Sequence, residues 1–195
     1  MVSEFLSGNT TLLNQTANNT PTHQTSVGEQ FLRFHLGGET TALLPVHQMT
    51  EVLNIPVNQI VPIPHLPGWV MGVYNWRGEI LWIVDLGHLV GLTPLHQQEI
   101  SHSTYTTIVI HSQQKHTSKK RLGGQITGSK MLGLVVEKVE DMEWCNPDSI
   151  ESPPLSAVTP ELVPFLRGYW MKSNDEMLVV LEGEAIIAGM PKPAV

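Results

Sequence analysis

Residues 72–86 are Gly72-Val73-Tyr74-Asn75-Trp76-Arg77-Gly78-Glu79-Ile80-Leu81-Trp82-Ile83-Val84-Asp85-Leu86. Two apolar runs flank one Arg77-Gly78 pair, and glycine supplies the positive φ that tight turns often require. The stretch therefore predicts two strands, Trp69–Asn75 and Glu79–Leu86, joined by a turn. Because both runs are almost continuously apolar, we expect each strand to be buried on two faces. A single arginine at the tip suits recognition, and the stretch lacks the paired groups that catalysis needs.

Period-2 alternation and turn residues extend this pattern in both directions and predict about eight to ten short strands. Such spacing favours a barrel or a sandwich. Short helices are expected at His47–Asn54, with Met49, Val52 and Leu53 on one side, and near Gly87–Leu92 and Ala185–Ala188. The other predicted strands are Leu32–Leu36, Thr40–Val46, Tyr105–His111, Met131–Val139, Gly168–Met171 and Met177–Glu182.

Composition limits the possible classes of protein. A length of 195 residues favours one domain with room for two subdomains. The net charge of -7 argues against non-specific nucleic-acid binding, which needs many basic side chains. Cys145 is the one cysteine, so no internal disulfide can form, and a reducing cytoplasm is the simplest location. No secretion signal or membrane-spanning helix is predicted.

Two segments differ from the rest in composition. Residues 1–28 are rich in Asn, Thr, Ser and Gln, and we expect a disordered tail. Residues 112–130 form a polar insertion that holds five of the eleven Lys and Arg residues, and a mobile loop is expected there. The domain is expected to span 29–190, followed by a short tail at 191–195.

Several residues invite a catalytic or metal-binding interpretation. The run Gly123–Lys130 approaches a phosphate-binding loop, but Ser precedes Lys and no buried strand precedes the run. The nine histidines lack the spacing of a metal site. Acidic neighbours should raise the pKa of Cys145, which favours a small buried apolar residue over a nucleophile. Asp85 is expected to cap the turn after it. No cofactor or metal is predicted.

Five tryptophans are many for this length, and core filling is the expected role of most of them. Trp76 lies beside Arg77 at a turn. We therefore expect Trp76 to be partly exposed, as tryptophans at protein interfaces often are.

The run Pro67–Leu86 resembles the signature of CheW-like adaptor domains, with Trp76 in place of the usual leucine and Trp82 in place of the usual proline. The resemblance covers about residues 29–190. Its flanking parts are Phe31–Leu36, Val46–Leu53, Gly133–Val139, Leu166–Gly168 and Met177–Leu181.

The resemblance implies an all-β fold of two packed five-stranded SH3-like β-barrels with a few short helices. It implies a cytoplasmic, non-enzymatic adaptor that joins the regulatory domain of a CheA-type histidine kinase to the cytoplasmic tip of a methyl-accepting receptor. Contact with the membrane would come only through receptors. The aromatic substitutions resemble adaptors of type IV pilus or phototaxis systems. Alternatives are a β-barrel interaction module outside chemosensory signalling and an enzyme that uses His and acidic groups.

The resemblance also implies a partner-binding site. Arg77 would supply a charge-assisted contact and Glu51 a complementary charge, whereas Gly72 would admit a partner helix closely. The residues implied or suspected at the partner contact are Met49, Glu51, Val52, Gly72, Trp76, Arg77 and Gly78.

Overall fold

Two five-stranded sheets account for the ten strands found in the computed structural model, which describes residues 28–98, 103–112, 130–152 and 159–191. The first sheet has the order β8-β1-β2-β10-β9 and the second has the order β3-β6-β7-β5-β4. The β10–β2 and β5–β7 pairs are parallel and the other pairs are antiparallel. The strands are β1 (Glu29–Gly37), β2 (Thr40–Pro45), β3 (Met49–Pro56), β4 (Val70–Trp76), β5 (Glu79–Asp85), β6 (Thr104–His111), β7 (Met131–Val136), β8 (Lys138–Cys145), β9 (Leu166–Met171) and β10 (Met177–Leu181).

Among the described residues, two short α-helices accompany the sheets, α1 (Leu86–Leu89) and α2 (Gly183–Ala188). Both lie close to the positions predicted from the sequence. Outside the described residues lie 1–27 of the predicted N-terminal tail, 192–195 of the predicted C-terminal tail and 113–129 of the basic insertion, which include Gly123–Ser129 of the near-motif.

Each sheet curls until its edge strands approach each other. In the second sheet, Glu51 on β3 contacts Trp76 at the end of β4. In the first sheet, Glu143 on β8 binds Lys172, which follows β9, at 2.7 Å. These edge-to-edge contacts are those of closed barrels, and the predicted all-β class with two five-stranded units is confirmed.

The largest apolar core lies between the sheets and draws residues from both, such as Phe34 on β1 and Ile108 on β6. Each barrel also encloses a smaller apolar core of its own. Phe31 and Leu43 help to fill the first, and Leu81 and Val109 help to fill the second. Because the main core is shared, neither barrel can bury its apolar surface alone.

The helix predicted at His47–Asn54 is wrong, because this segment forms β3 after a single 3-10 turn at Val46–Gln48. A register shift between Met49 and Glu51 inserts an extra residue into β3. Met49 and Val52 consequently pair with Ile110 and Ile108, which lie on one face of β6. The bulge thus produces an apolar spacing of three, which imitates helical periodicity.

The expected burial of both hairpin strands on two faces is also wrong. Ile80 and Trp82 on β5 are 67% and 41% exposed, and Gly72 is the one fully buried residue of β4. Core filling is equally wrong for Trp144, which is 65% exposed on β8. Trp76 is partly exposed, as predicted.

Candidate partner-binding site

The turn between β4 and β5 has an unusual backbone. Arg77 and Gly78 both have positive φ, at 53° and 86°, which is the pattern of a two-residue type I′ hairpin turn. The Asn75 side chain accepts a hydrogen bond from Gly78 N at 3.0 Å and closes the turn. Positive φ costs a non-glycine residue about 1 kcal/mol. The fold therefore holds Arg77 at the tip against its backbone preference.

Three side chains meet beside this turn, and we call Glu51, Trp76 and Arg77 the Glu51 cluster. Glu51 Oε1 accepts a hydrogen bond from Trp76 Nε1 at 2.6 Å, and Glu51 Oε2 accepts one from Arg77 Nη2 at 2.9 Å. The Arg77 guanidinium carbon lies 4.8 Å from the centre of the Trp76 ring. The Arg77 side chain remains 67% exposed, so the cluster displays a charge that is already oriented.

Met49 and Val52 are near the Glu51 cluster in sequence but lie on the other face of β3. Met49 packs against the core between the sheets, whereas Val52 is exposed. Glu51 pairs with Val109, whose side chain belongs to the interior of the second barrel. The bulge therefore separates the charged and the apolar members of the predicted site.

Gly72 is a glycine for a reason other than the predicted one. Its φ is +143°, and a Cβ there would lie 2.2 Å from the Val61 carbonyl oxygen. The backbone of Val61 and Pro62 already occupies the space expected to admit a partner helix. Val61 also forms a β-bridge with Val73, which secures this connection to β4. The Val61–Pro62 backbone is therefore what requires a glycine at position 72, and contact of Gly72 with a partner helix stays a prediction.

Exposed apolar side chains form two groups, one on each sheet. The sequence analysis did not predict the exposed group on the first sheet. Its pattern was nevertheless present, because Met142 and Trp144 alternate with Glu143 and Cys145 as in a half-buried strand. On the second sheet and the segment that joins β3 to β4, the exposed residues are Val52, Val57, Val61, Ile63, Ile80 and Trp82, and on the first sheet and the turn before β9 they are Met142, Trp144, Val163, Met171 and Met177.

A groove of about 460 Å³ runs between the second sheet and the end of α2. Trp82 and Val84 line one wall, Ile187 and Met190 line the opposite wall, and Lys130 stands among the lining residues. Trp82 is thus part of a surface recess and not of the core.

Two residues that invited a catalytic interpretation, Asp85 and Cys145, have structural roles. Asp85 is buried and accepts hydrogen bonds from His88 N and Leu95 N at 3.0 and 2.8 Å, which confirms the predicted cap. Burial raises the pKa of the Cys145 thiol to about 11, and the negative charges of Glu29 and Glu143 act in the same direction. A thiol in this state is a poor nucleophile.

Within the described ranges, no group of three or more His, Cys, Asp or Glu side chains is placed to hold a metal ion. Over those ranges, no helix has the length and apolar character needed to cross a bilayer.

Comparison with known proteins identifies relatives along most of the chain. A family model described as the CheW-like domain matches residues 30–189. The chemotaxis protein CheW of Klebsiella aerogenes is 27% identical over 163 residues, which cover 84% of each chain. The corresponding protein of Rhizobium meliloti is 25% identical over 136 residues, covering 70% of this chain and 74% of that one.

A solved structure shows the same fold. The scaffolding protein TtCheW from Thermoanaerobacter tengcongensis superposes with a TM-score of 0.59 at 24% identity. The match covers 80% of this chain and 89% of that chain.

Proposed function

The chain belongs to the CheW-like domain family, and on this premise we propose that it is a non-enzymatic adaptor that couples a CheA-type histidine kinase to methyl-accepting receptors. Its relatives are chemotaxis and scaffolding proteins. The observation that carries the proposal is the pair of separate exposed apolar groups, one on each sheet. An adaptor needs two such surfaces because it must hold two partners at once.

The receptor contact is assigned to the second sheet. The Glu51 cluster presents an oriented arginine, and the exposed Ile80 lies on the same hairpin, whereas the exposed Val52 lies on the other face of β3. A charged anchor beside apolar area is the usual composition of a protein interface. Met49 supports this surface from behind through its packing on the shared core, and Gly78 sets the turn that displays Arg77.

The kinase contact is assigned to the first sheet. Met142 and Trp144 lie on β8, an edge strand, and both are about half exposed or more. Methionine and tryptophan offer large, adaptable contact area. This surface belongs to the other barrel, so kinase and receptor could bind together.

Signal transmission would then require no chemistry in the adaptor. A receptor rearrangement that alters its contact with the Glu51 cluster changes the free energy of the complex. The equilibrium between the active and inactive states of the kinase then shifts by the same coupling free energy. Asp85 and Cys145 are held by backbone contacts and burial, which supports a non-enzymatic role. The adaptor would act in the cytoplasm and reach the membrane only through receptor arrays.

Titration calorimetry with each partner separately tests the two assignments. The probes are the regulatory domain of a CheA-type kinase and a trimerised cytoplasmic tip of a methyl-accepting receptor, both from the source organism. Arg77→Ala should weaken receptor binding and leave kinase binding intact, whereas Trp144→Ser should do the reverse. Glu79→Gln on the same hairpin serves as a matched control.

The two outcomes separate the adaptor from its alternatives. Binding of both probes to one molecule, each lost with its own variant, supports the adaptor. Absence of binding to both probes would instead favour an interaction module that works outside chemosensory signalling. Pairing with receptors from pilus, phototaxis or flagellar systems of that organism identifies the pathway.

A further inference from the structure

The geometry points to Trp76 as a positioning residue, which holds Glu51 so that Arg77 keeps most of its N–H donors for an acidic group on the receptor. The inference rests on the proposed function and concerns the residue that sets this chain apart from the usual leucine. Its basis is the way in which Trp76, Arg77 and Glu51 share one carboxylate.

The two carboxylate oxygens of Glu51 accept hydrogen bonds from different side chains. An isolated pair of an arginine and a carboxylate favours two parallel hydrogen bonds. Here Oε1 accepts the Trp76 indole N–H at 2.6 Å, which leaves Oε2 for Arg77. Within the described part of the chain, the Arg77 side chain forms one hydrogen bond, from Nη2. Trp76 therefore occupies the oxygen that a two-bonded pair would use.

Three features orient the Arg77 side chain: stacking on Trp76, the bond to Glu51 and the backbone of the turn. Its guanidinium lies over the Trp76 ring at 4.8 Å, within the range of a cation–π contact. Its backbone is fixed by the positive φ of the turn. A side chain held by stacking, by one ion pair and by its backbone loses less freedom when a partner binds.

The partner chemistry follows from the donors that remain. A guanidinium has five N–H groups and no acceptor, so four donors stay available in a side chain that is 67% exposed. A carboxylate matches such a fork best, because a charge-assisted pair is about twice as strong as a neutral one. We therefore assign an Asp or Glu of the receptor tip to this position.

Two substitutions of Trp76 separate the contributions of its ring and its N–H. Trp76→Phe keeps an aromatic ring beneath Arg77 but removes the donor to Glu51, and Trp76→Leu removes both. Once freed, Glu51 can form the two-bonded pair and occupy donors that the receptor needs. Trp76→Phe should weaken binding to the trimerised receptor tip by about threefold to tenfold, the value of one hydrogen bond.

A double variant distinguishes positioning from simple structural support. Glu51→Gln has one acceptor oxygen and cannot form the two-bonded ion pair, so adding it to Trp76→Phe should restore receptor affinity. If Trp76 only stabilises the barrel, the second substitution will weaken binding further and the inference is overturned. Replacing the acidic receptor residue by its amide should erase the effect of Trp76→Phe.

A measurement without the receptor keeps the inference separate from the proposed function. Hydrogen exchange at Arg77 Nε–H and Nη1–H, followed by nitrogen-15 NMR of the full chain, should be fast in the wild type. It should slow at one of these two groups in Trp76→Phe, when Glu51 takes a second donor. Unchanged exchange overturns the inference even if the receptor binds, whereas slowed exchange without any receptor binding overturns the proposed function alone.

Discussion

Asp85 illustrates at the scale of one residue how a buried charge can be satisfied by backbone alone. Its two carboxylate oxygens accept N–H groups from α1 and from the turn at Leu95. The first bond is a local cap and could be predicted from the sequence. The bond to Leu95 spans a loop, and no local pattern indicates it.

We expect Asp85→Ala to lower the free energy of unfolding by about 2–4 kcal/mol, because two backbone N–H groups lose their partners. Urea unfolding followed by circular dichroism measures this change. Asp148→Ala, at an exposed position, should stay within about 0.5 kcal/mol of the wild type. Equal effects of the two substitutions would show that Asp85 contributes no more than a surface carboxylate.

Cys145 should be almost inert in the folded protein. Because burial raises the pKa of its thiol to about 11, little thiolate exists near pH 8. Iodoacetamide should therefore label it only as fast as the molecule opens, and rapidly in denaturant. Above the ordinary thiol pKa of about 8.5, the unfolded chain ionises first, so stability should decline with rising pH. Prompt labelling of the native protein would contradict this picture.

At the scale of elements, the sequence predicted most strands and both helices, because apolar alternation and turn residues are local properties. It failed at β3, where a bulge gave Met49 and Val52 a helix-like spacing. It could not predict that Glu51 would reach Trp76, since that contact depends on closure of a barrel between its two edge strands. Hence the sequence indicated the members of the candidate site but not their arrangement.

Two hairpin glycines should respond differently to alanine. A Cβ at Gly72 would lie 2.2 Å from the Val61 carbonyl oxygen, whereas one at Gly78 would meet nothing within 4 Å. Both have positive φ, so each substitution carries a backbone cost of about 1 kcal/mol. Gly72→Ala should add a steric cost of at least about 2 kcal/mol in thermal unfolding. Similar melting temperatures for both variants would mean that the Val61–Pro62 backbone moves away from the added Cβ at little cost in free energy.

At the scale of the whole molecule, one ionic cluster joins distant parts of the chain. Arg33 on β1 bonds to Glu140 and Glu143 on β8 and to Glu176 before β10. A hydrogen bond from His35, with help from Arg33, holds the pKa of Glu140 below its usual range, and Arg33 does the same for Glu176. The cluster thereby ties the first strand to the last third of the chain.

These lowered pKa values predict a loss of stability in acid. The unfolded carboxyl groups bind protons near their ordinary pKa of about 4.3, whereas Glu140 and Glu176 in the folded protein do so only at lower pH. The stabilisation is therefore complete above that pKa and disappears as pH falls through the folded values. Arg33→Met should lower stability near neutral pH and flatten the acid dependence of urea unfolding. Arg167→Met, which breaks a 2.9 Å ion pair with Glu29, should keep the wild-type slope, because neither lowered carboxyl group contacts it. A slope unchanged by Arg33→Met would place the acid sensitivity in other carboxylates.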